Sequence, residues 1–64
     1  MTFRNVTKEM ERAGWKLVRV NGSHYQYKHP NFQAVATVVC HGGRDISKGV
    51  IDNLKKVTGL SFTR

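Results

Sequence analysis

The residues best suited to chemistry in this chain are Gly22, Ser23 and His24, which follow Asn21 directly. The Asn-Gly pair is the strongest short-range hairpin signal, because both central positions of a type I′ turn require positive φ. Histidine is the one side chain whose unperturbed titration suits proton transfer near neutral pH. The sequence therefore predicts an exposed imidazole close to the tip of a tight hairpin.

Cations near this imidazole indicate a substrate that carries phosphate. Cleavage of RNA needs a base for the 2′-OH proton, an acid for the leaving 5′-oxygen and positive charge beside the phosphorane. A positioned histidine contributes a factor of about 10²–10⁴, and fixed cations stabilise the charge that develops. We predict that His24 is the general acid/base. The residues predicted to bind substrate are Arg19, Lys28, Gly22, Ser23 and Gln26.

The charge of the whole chain favours a polyanionic partner. Its 64 residues include 11 Lys+Arg and 4 Asp+Glu, which gives a formal net charge of +7. The cations are spread along the sequence instead of forming a tail, so the folded surface is basic and attracts polyanions. Nucleic acid is the first candidate and an acidic protein is the second. A cationic domain with no such partner is the third alternative.

Length and cysteine content limit the other classes of protein. The chain is long enough for one domain, residues 1–64, which buries roughly 60% of the surface of its unfolded form. Cys40 has no disulfide partner, so we expect a reducing cytoplasm and a small buried thiol. No apolar run approaches the ~20 residues of a membrane helix, and the first residues lack the apolar segment expected of a signal peptide.

Metal chemistry is not expected. The three histidines and Cys40 do not have the spacing of paired zinc ligands. The few carboxylates are too scattered for a two-metal nuclease. The sequence therefore predicts a site that uses no metal and no other cofactor.

Two apolar stripes at helical spacing predict a helix at each end of the chain. The first stripe consists of Phe3, Val6, Met10 and Ala13, and Gly14 is expected to end this helix. The second consists of Ile46, Val50, Leu54 and Val57, with Asp45 or Ser47 as N-cap and Gly59 after the last turn. Strands are predicted over residues 15–20, 23–29 and 34–40.

A two-residue loop at Asn21 and Gly22 fixes the expected register of the first two strands. The predicted pairs are Val20 with Ser23, Arg19 with His24, Val18 with Tyr25, and Lys16 with Tyr27. Because side chains alternate between faces, the predicted core face carries Val18, Val20, Tyr25 and Tyr27. The predicted open face carries Arg19, His24, Gln26 and Lys28, together with Leu17 and a partly exposed Trp15.

The third strand completes the predicted fold. An antiparallel connection through residues 30–33 would pair Ala36 with Tyr27 and Val38 with Tyr25. A sheet with both helices on one face is the simplest way to bury two stripes and one sheet face. We therefore predict an α+β fold of αβββα order, with a three-stranded antiparallel sheet.

The other two histidines are weaker candidates for chemistry. His41 is expected near His24 on the open face, either as a second proton-transfer group or, preferably, as the end of a strand. His29 precedes Pro30, which favours extended backbone. Alternation places it on the face opposite His24, where it is expected to be an ordinary loop residue.

Together these residues resemble the HicA family of bacterial toxins, also called YcfA-like mRNA interferases. The matching motifs are Ala13-Gly14-Trp15, Arg19, Gly22-Ser23-His24, Tyr27-Lys28-His29-Pro30, His41-Gly42, Asp45-Ile46, Gly49 and Leu60-Ser61. The resemblance implies a fold like that of double-stranded-RNA-binding domains. It also implies metal-independent cleavage of mRNA, with the family's histidine falling on His24.

The resemblance further implies a partner, a HicB-type antitoxin that covers the active face. The free toxin is then expected to be monomeric and to form a hetero-oligomer with the antitoxin. Two alternatives stay open: a non-catalytic RNA-binding module of similar fold, which binds RNA and leaves it intact, and a protein-interaction domain that binds no RNA.

Overall fold

A computed structural model describes residues 1–40 and 45–62, in which the elements follow the predicted order. They are α1 (Phe3–Arg12), β1 (Lys16–Asn21), β2 (His24–Lys28), β3 (Ala36–Val39) and α2 (Lys48–Thr58). The three strands form an antiparallel sheet of order β1-β2-β3. The predicted α+β class and αβββα order are confirmed.

Helix α1 begins and ends where local chemistry dictates. The Thr2 hydroxyl accepts a hydrogen bond from the backbone N–H of Asn5 at 3.2 Å, which satisfies one of the free donors of the first turn. Val6 and Met10 are buried on its apolar stripe. Gly14, with φ of 102°, turns the chain out of the helix toward β1.

Helix α2 resolves the choice between two predicted caps. The Ser47 hydroxyl accepts from the backbone N–H of Val50 at 3.3 Å, so Ser47 is the N-cap and Asp45 is not. Leu54 is fully buried on the inner side of the helix. Gly59 ends it in the left-handed conformation, with φ of 74°, as predicted for a residue after the last turn.

Both helices cover the same face of the sheet. The buried hydrophobic residues form one cluster, which is Val6, Met10, Trp15, Tyr27, Ala36, Val38, Ile46, Leu54 and Phe62. This cluster joins residues of α1 and α2 to one side of β2 and β3. Within the described residues, the opposite side of the sheet is consequently free of helices, as predicted.

The hairpin turn lies one residue later than predicted. Asn21 pairs with His24, so Gly22 and Ser23 are the two turn residues. Gly22 has φ of 63° and Ser23 is not in the positive-φ region, which is the pattern of a type II′ turn with glycine first. The predicted pairs Val20–Ser23 and Arg19–His24 are therefore wrong.

A β-bulge in β1 changes which side chains share a face. Val20 pairs with Tyr25, whereas Leu17 pairs with Tyr27, and the register shifts between Leu17 and Arg19. The extra residue is Val18, so the predicted pairs Val18–Tyr25 and Lys16–Tyr27 are also wrong. Because a bulge reverses the alternation beyond it, Leu17 lies on the helix side of the sheet and not on the open side.

The prediction for Trp15 is corrected for the same reason. Its side chain is 1% exposed and belongs to the core, instead of being partly exposed on the open face. The pairing of the third strand is as predicted, with Ala36 opposite Tyr27 and Val38 opposite Tyr25. His41 lies outside the described residues, as do Gly42 and Gly43.

The buried Tyr27 phenol predicts a loss of stability in alkali. Burial raises the pKa of Tyr27 above its ordinary value of 10.0, and the Glu11 carboxylate adds to the rise. As the pH rises past 10.0, the phenol of the unfolded chain loses its proton before the phenol of the folded chain does. The native state then binds more protons than the unfolded state, so the free energy of unfolding falls as the pH increases.

We expect Tyr27→Phe to remove this component. Urea unfolding at about pH 8 and about pH 11 should show a smaller alkaline decrease in the free energy of unfolding for the variant than for the native chain. An identical decrease in both proteins would contradict the assignment to Tyr27.

Candidate nucleic-acid interface

The open face of the sheet is defined by the register. Tyr25, Tyr27, Ala36 and Val38 point toward the helices, so their neighbours along each strand point away. The open face therefore consists of Lys16, Arg19, Asn21, His24, Gln26, Lys28, Thr37 and Val39. It carries four cationic or titratable side chains and no carboxylate.

His24 lies at the turn end of β2, which is the central strand of this face. Its cross-strand partners are Asn21 on β1 and Val39 on β3. The side chain is exposed. It makes no hydrogen bond and no ring contact with any residue in ranges 1–40 and 45–62. The imidazole is therefore available to a ligand that approaches the sheet.

Arg19 is the cation nearest to His24 in the register. It pairs with Gln26, which places it diagonally from His24 and not directly opposite as predicted. Diagonal neighbours on one sheet face are about 7–8 Å apart at their backbone positions, within reach of a long side chain. The exposed guanidinium can therefore approach a phosphate that also contacts the imidazole.

Lys28 shares the open face with His24 but is farther along the sheet. Lys28 follows His24 by four positions of extended strand, so their backbone positions are about 13 Å apart. Lys28 instead pairs with Lys16, so these two lysines form a separate cationic end of the face. The sequence pattern predicted two cations beside His24, but in the observed register Arg19 is the only one of the two that lies close to it.

The remaining predicted site residues differ in their surroundings. Apart from its chain neighbours, no described residue lies within 4 Å of a Cβ placed on Gly22. The Ser23 carbonyl accepts from the backbone N–H of Cys40 at 2.8 Å, which holds the turn against the end of β3. Gln26 is half-buried between Arg19 and Thr37. Cys40 is half-buried too, less enclosed than predicted.

His29 has a structural role that the sequence analysis missed. Its Nδ1 accepts from the backbone N–H of Asn31 at 3.0 Å, which leaves Nε2 to donate to the Ala13 carbonyl at 2.9 Å. This ring therefore connects the end of α1 to the loop after β2. Because 16 residues separate His29 from Ala13, no local pattern in the sequence indicates the contact.

Aromatic rings enclose His29 and fix its position. Its ring centroid lies 5.4 Å from Trp15 and 5.0 Å from Phe32. A Cβ on Gly14 would lie 2.7 Å from Nε2, so only glycine fits beside the imidazole. The Gly14-Trp15 pair is thus the part of the sequence that makes this contact possible, although only the folded structure shows that it packs against His29.

Two further observations limit the kinds of site present. Within ranges 1–40 and 45–62, no three His, Cys, Asp or Glu side chains lie together in a way that could hold a metal ion. In the same ranges, no helix has the length and apolar character needed to cross a membrane.

Comparison with known families identifies the group of proteins to which this open-faced sheet belongs. The sequence model described as "HicA toxin of bacterial toxin-antitoxin" matches residues 3–60. The chain belongs to the HicA toxin family. No curated protein matches it. Membership of this family implies a toxin role and an antitoxin partner for this HicA toxin.

Proposed function

We propose that this HicA toxin is a metal-independent endoribonuclease that cleaves mRNA, with His24 as the general acid/base. The observation that supports this most directly is the exposed imidazole on the central strand of a helix-free, cationic sheet face. A histidine with only structural duties would have protein partners, as His29 has. His24 has none in the part of the chain that the structure describes.

The proposed reaction uses the RNA itself as nucleophile. Neutral His24 takes the proton of a 2′-OH, and the 2′-oxygen attacks the adjacent phosphorus. The bond from phosphorus to the 5′-oxygen breaks, and the imidazolium returns its proton to that oxygen. The products are a 2′,3′-cyclic phosphate and a 5′-hydroxyl. Proton transfer by a positioned histidine contributes about 10²–10⁴-fold.

The other site residues are proposed to bind and orient the substrate. The Arg19 guanidinium would contact the reacting phosphate and the negative charge that develops on it. Lys28, about 13 Å along β2, contacts a different phosphate of the same strand. The side-chain amide of Gln26, which lies between His24 and Lys28 on β2, would form hydrogen bonds with the same strand of RNA. Gly22 and Ser23 provide space and backbone groups at the turn.

Incubation of a defined RNA with the purified toxin tests the proposal. We expect cleavage in the presence of excess EDTA, with new ends that carry a 2′,3′-cyclic phosphate and a 5′-hydroxyl. Metal-dependent cleavage would contradict the mechanism. Salt-sensitive binding that leaves the RNA intact would assign the chain to the alternative, a non-catalytic RNA-binding module.

Removal of the Arg19 charge should weaken RNA binding more than removal of an equally exposed charge elsewhere. We expect Arg19→Ala to lower affinity and to reduce the slope of log affinity against log salt by about 0.7–0.9. The matched control is Arg4→Ala, because Arg4 is exposed on α1, away from the open face. Equal effects of the two substitutions would contradict a specific role for Arg19.

The antitoxin implied by the family is proposed to be of the HicB type. We propose that the free toxin is a monomer, that residues 1–64 form a single domain, and that toxin and antitoxin form a hetero-oligomer in the cytoplasm. The net charge of +7 opposes association of two copies and favours an acidic partner.

A further inference from the structure

Strand β1 is an exposed edge of the sheet. All six of its residues are exposed, and among residues 1–40 and 45–62 it pairs with β2 alone. An edge strand presents a row of free N–H and C=O groups, to which another extended chain can pair. The strand is about 20 Å long at 3.4 Å per residue, which is sufficient to hold a short added strand.

The β1 edge also carries apolar surface that the helices leave uncovered. Leu17, Val18 and Val20 are 45%, 55% and 50% exposed. Leu17 and Val20 pair with Tyr27 and Tyr25, which places them on the helix side of the sheet. Both helices make their main contacts with β3, at the other edge, and about half of the surface of these two residues stays exposed.

The opposite side of the same strand is cationic. Lys16 and Arg19 pair with Lys28 and Gln26 on the open face. On either side of the bulge, β1 therefore presents apolar side chains on the helix side of the sheet and cations on the open side. An extended segment that matched it would alternate apolar side chains with carboxylates, because neighbouring residues of a strand point to opposite faces.

We propose that the antitoxin docks on the β1 edge by adding an acidic, extended segment as a fourth strand. Its apolar side chains would cover Leu17 and Val20, and its carboxylates would approach Lys16 and Arg19. A second copy of the chain is a poor occupant, because each copy carries a net charge of +7.

The docking geometry carries a consequence that rests on the proposed function. A carboxylate of the added strand beside Arg19 would neutralise the cation that the reaction needs near His24. The antitoxin would thus inhibit through competition for Arg19 as well as through coverage of the sheet. Docking itself does not depend on this step and is tested separately.

The test compares two valine substitutions of similar exposure. Val20→Glu adds a like charge to the surface proposed to meet an acidic strand. Val35→Glu makes the same change at a residue that is 41% exposed and lies outside β1. With the purified cognate antitoxin, we expect the dissociation constant to rise about tenfold or more for Val20→Glu and less than about twofold for Val35→Glu.

Unchanged affinity of Val20→Glu, or an equal loss in both variants, would overturn the proposal. Circular dichroism checks that both variants fold. Hydrogen exchange on the native protein provides a second test that needs no substitution. We expect amides of Lys16–Asn21 to gain protection when the antitoxin binds. No gain, or the same gain with RNA alone or on self-association at high concentration, would assign the edge to another occupant and overturn the proposal.

Cleavage assays separate this proposal from the proposed function. Free Val20→Glu is expected to cleave RNA at the native rate and to resist inhibition by the antitoxin. If neither the native chain nor the variant cleaves RNA, the nuclease proposal fails. The docking proposal is then still tested by the dissociation constants for the antitoxin and by the hydrogen-exchange data.

Discussion

Replacement of His24 by alanine is expected to lower RNA cleavage by about 10²–10⁴-fold, because the reaction loses its proton-transfer group. RNA binding should change little, since the cations of the open face remain. The free energy of unfolding should stay within about 0.5 kcal/mol of the native value, because the side chain is exposed and has no partner among the described residues.

Rescue by a small molecule distinguishes chemistry from structure in this variant. Added imidazole is expected to restore part of the cleavage activity of His24→Ala and to leave the native rate unchanged. Turnover is measured with excess RNA and with EDTA present, and binding is measured by fluorescence anisotropy. Native activity in the variant, or a loss of activity matched by a loss of binding, would contradict the role of His24 as general acid/base.

Substitution of Gly14 by alanine is expected to destabilise the protein by about 3 kcal/mol. A φ of 102° is strained for any residue with a Cβ, at a cost of about 1–2 kcal/mol. The new methyl group would also displace the His29 ring, because Nε2 lies 2.7 Å from its position. Loss of the bond from His29 to Ala13 costs about 1 kcal/mol more.

Gly49 provides the matched control for this prediction. A Cβ there meets no described residue outside its own helical turn within 4 Å, and its backbone is helical. Gly49→Ala is therefore expected to stabilise the protein by about 0.5–1 kcal/mol. Urea unfolding of both variants measures the difference. Equal stability of Gly14→Ala and the native chain would contradict the structural role assigned to the contact between Gly14 and His29.

The predicted and observed structures differ most in the first hairpin, for a local reason. Asn21-Gly22 and Gly22-Ser23 are both acceptable two-residue turns, and the type II′ turn needs glycine only at its first position. The structure uses Gly22-Ser23 as the turn, and the bulge at Val18 then shifts the register by one residue, so that Tyr27 pairs with Leu17. Sequence alternation alone cannot detect a bulge, because one extra residue reverses the pattern beyond it.

The predicted open face was nevertheless largely right near the turn. A register error of two residues leaves each side chain on its original face, so Arg19, His24 and Gln26 remain together. The bulge lies beyond Arg19 and affects only the start of β1. Because of the bulge, Trp15 lies in the core and Lys28 pairs with Lys16.

By itself, the sequence determined the order of the elements, the glycines that end both helices, the basic surface and the exposure of His24. These depend on local periodicity, caps and a glycine turn, all of which act within a few residues. Only the tertiary structure decided the partners of Arg19, the burial of Trp15, the contact of His29 with Ala13 and the accessible β1 edge. Those features arise where segments far apart in the chain meet, and their geometry depends on packing instead of on any local pattern.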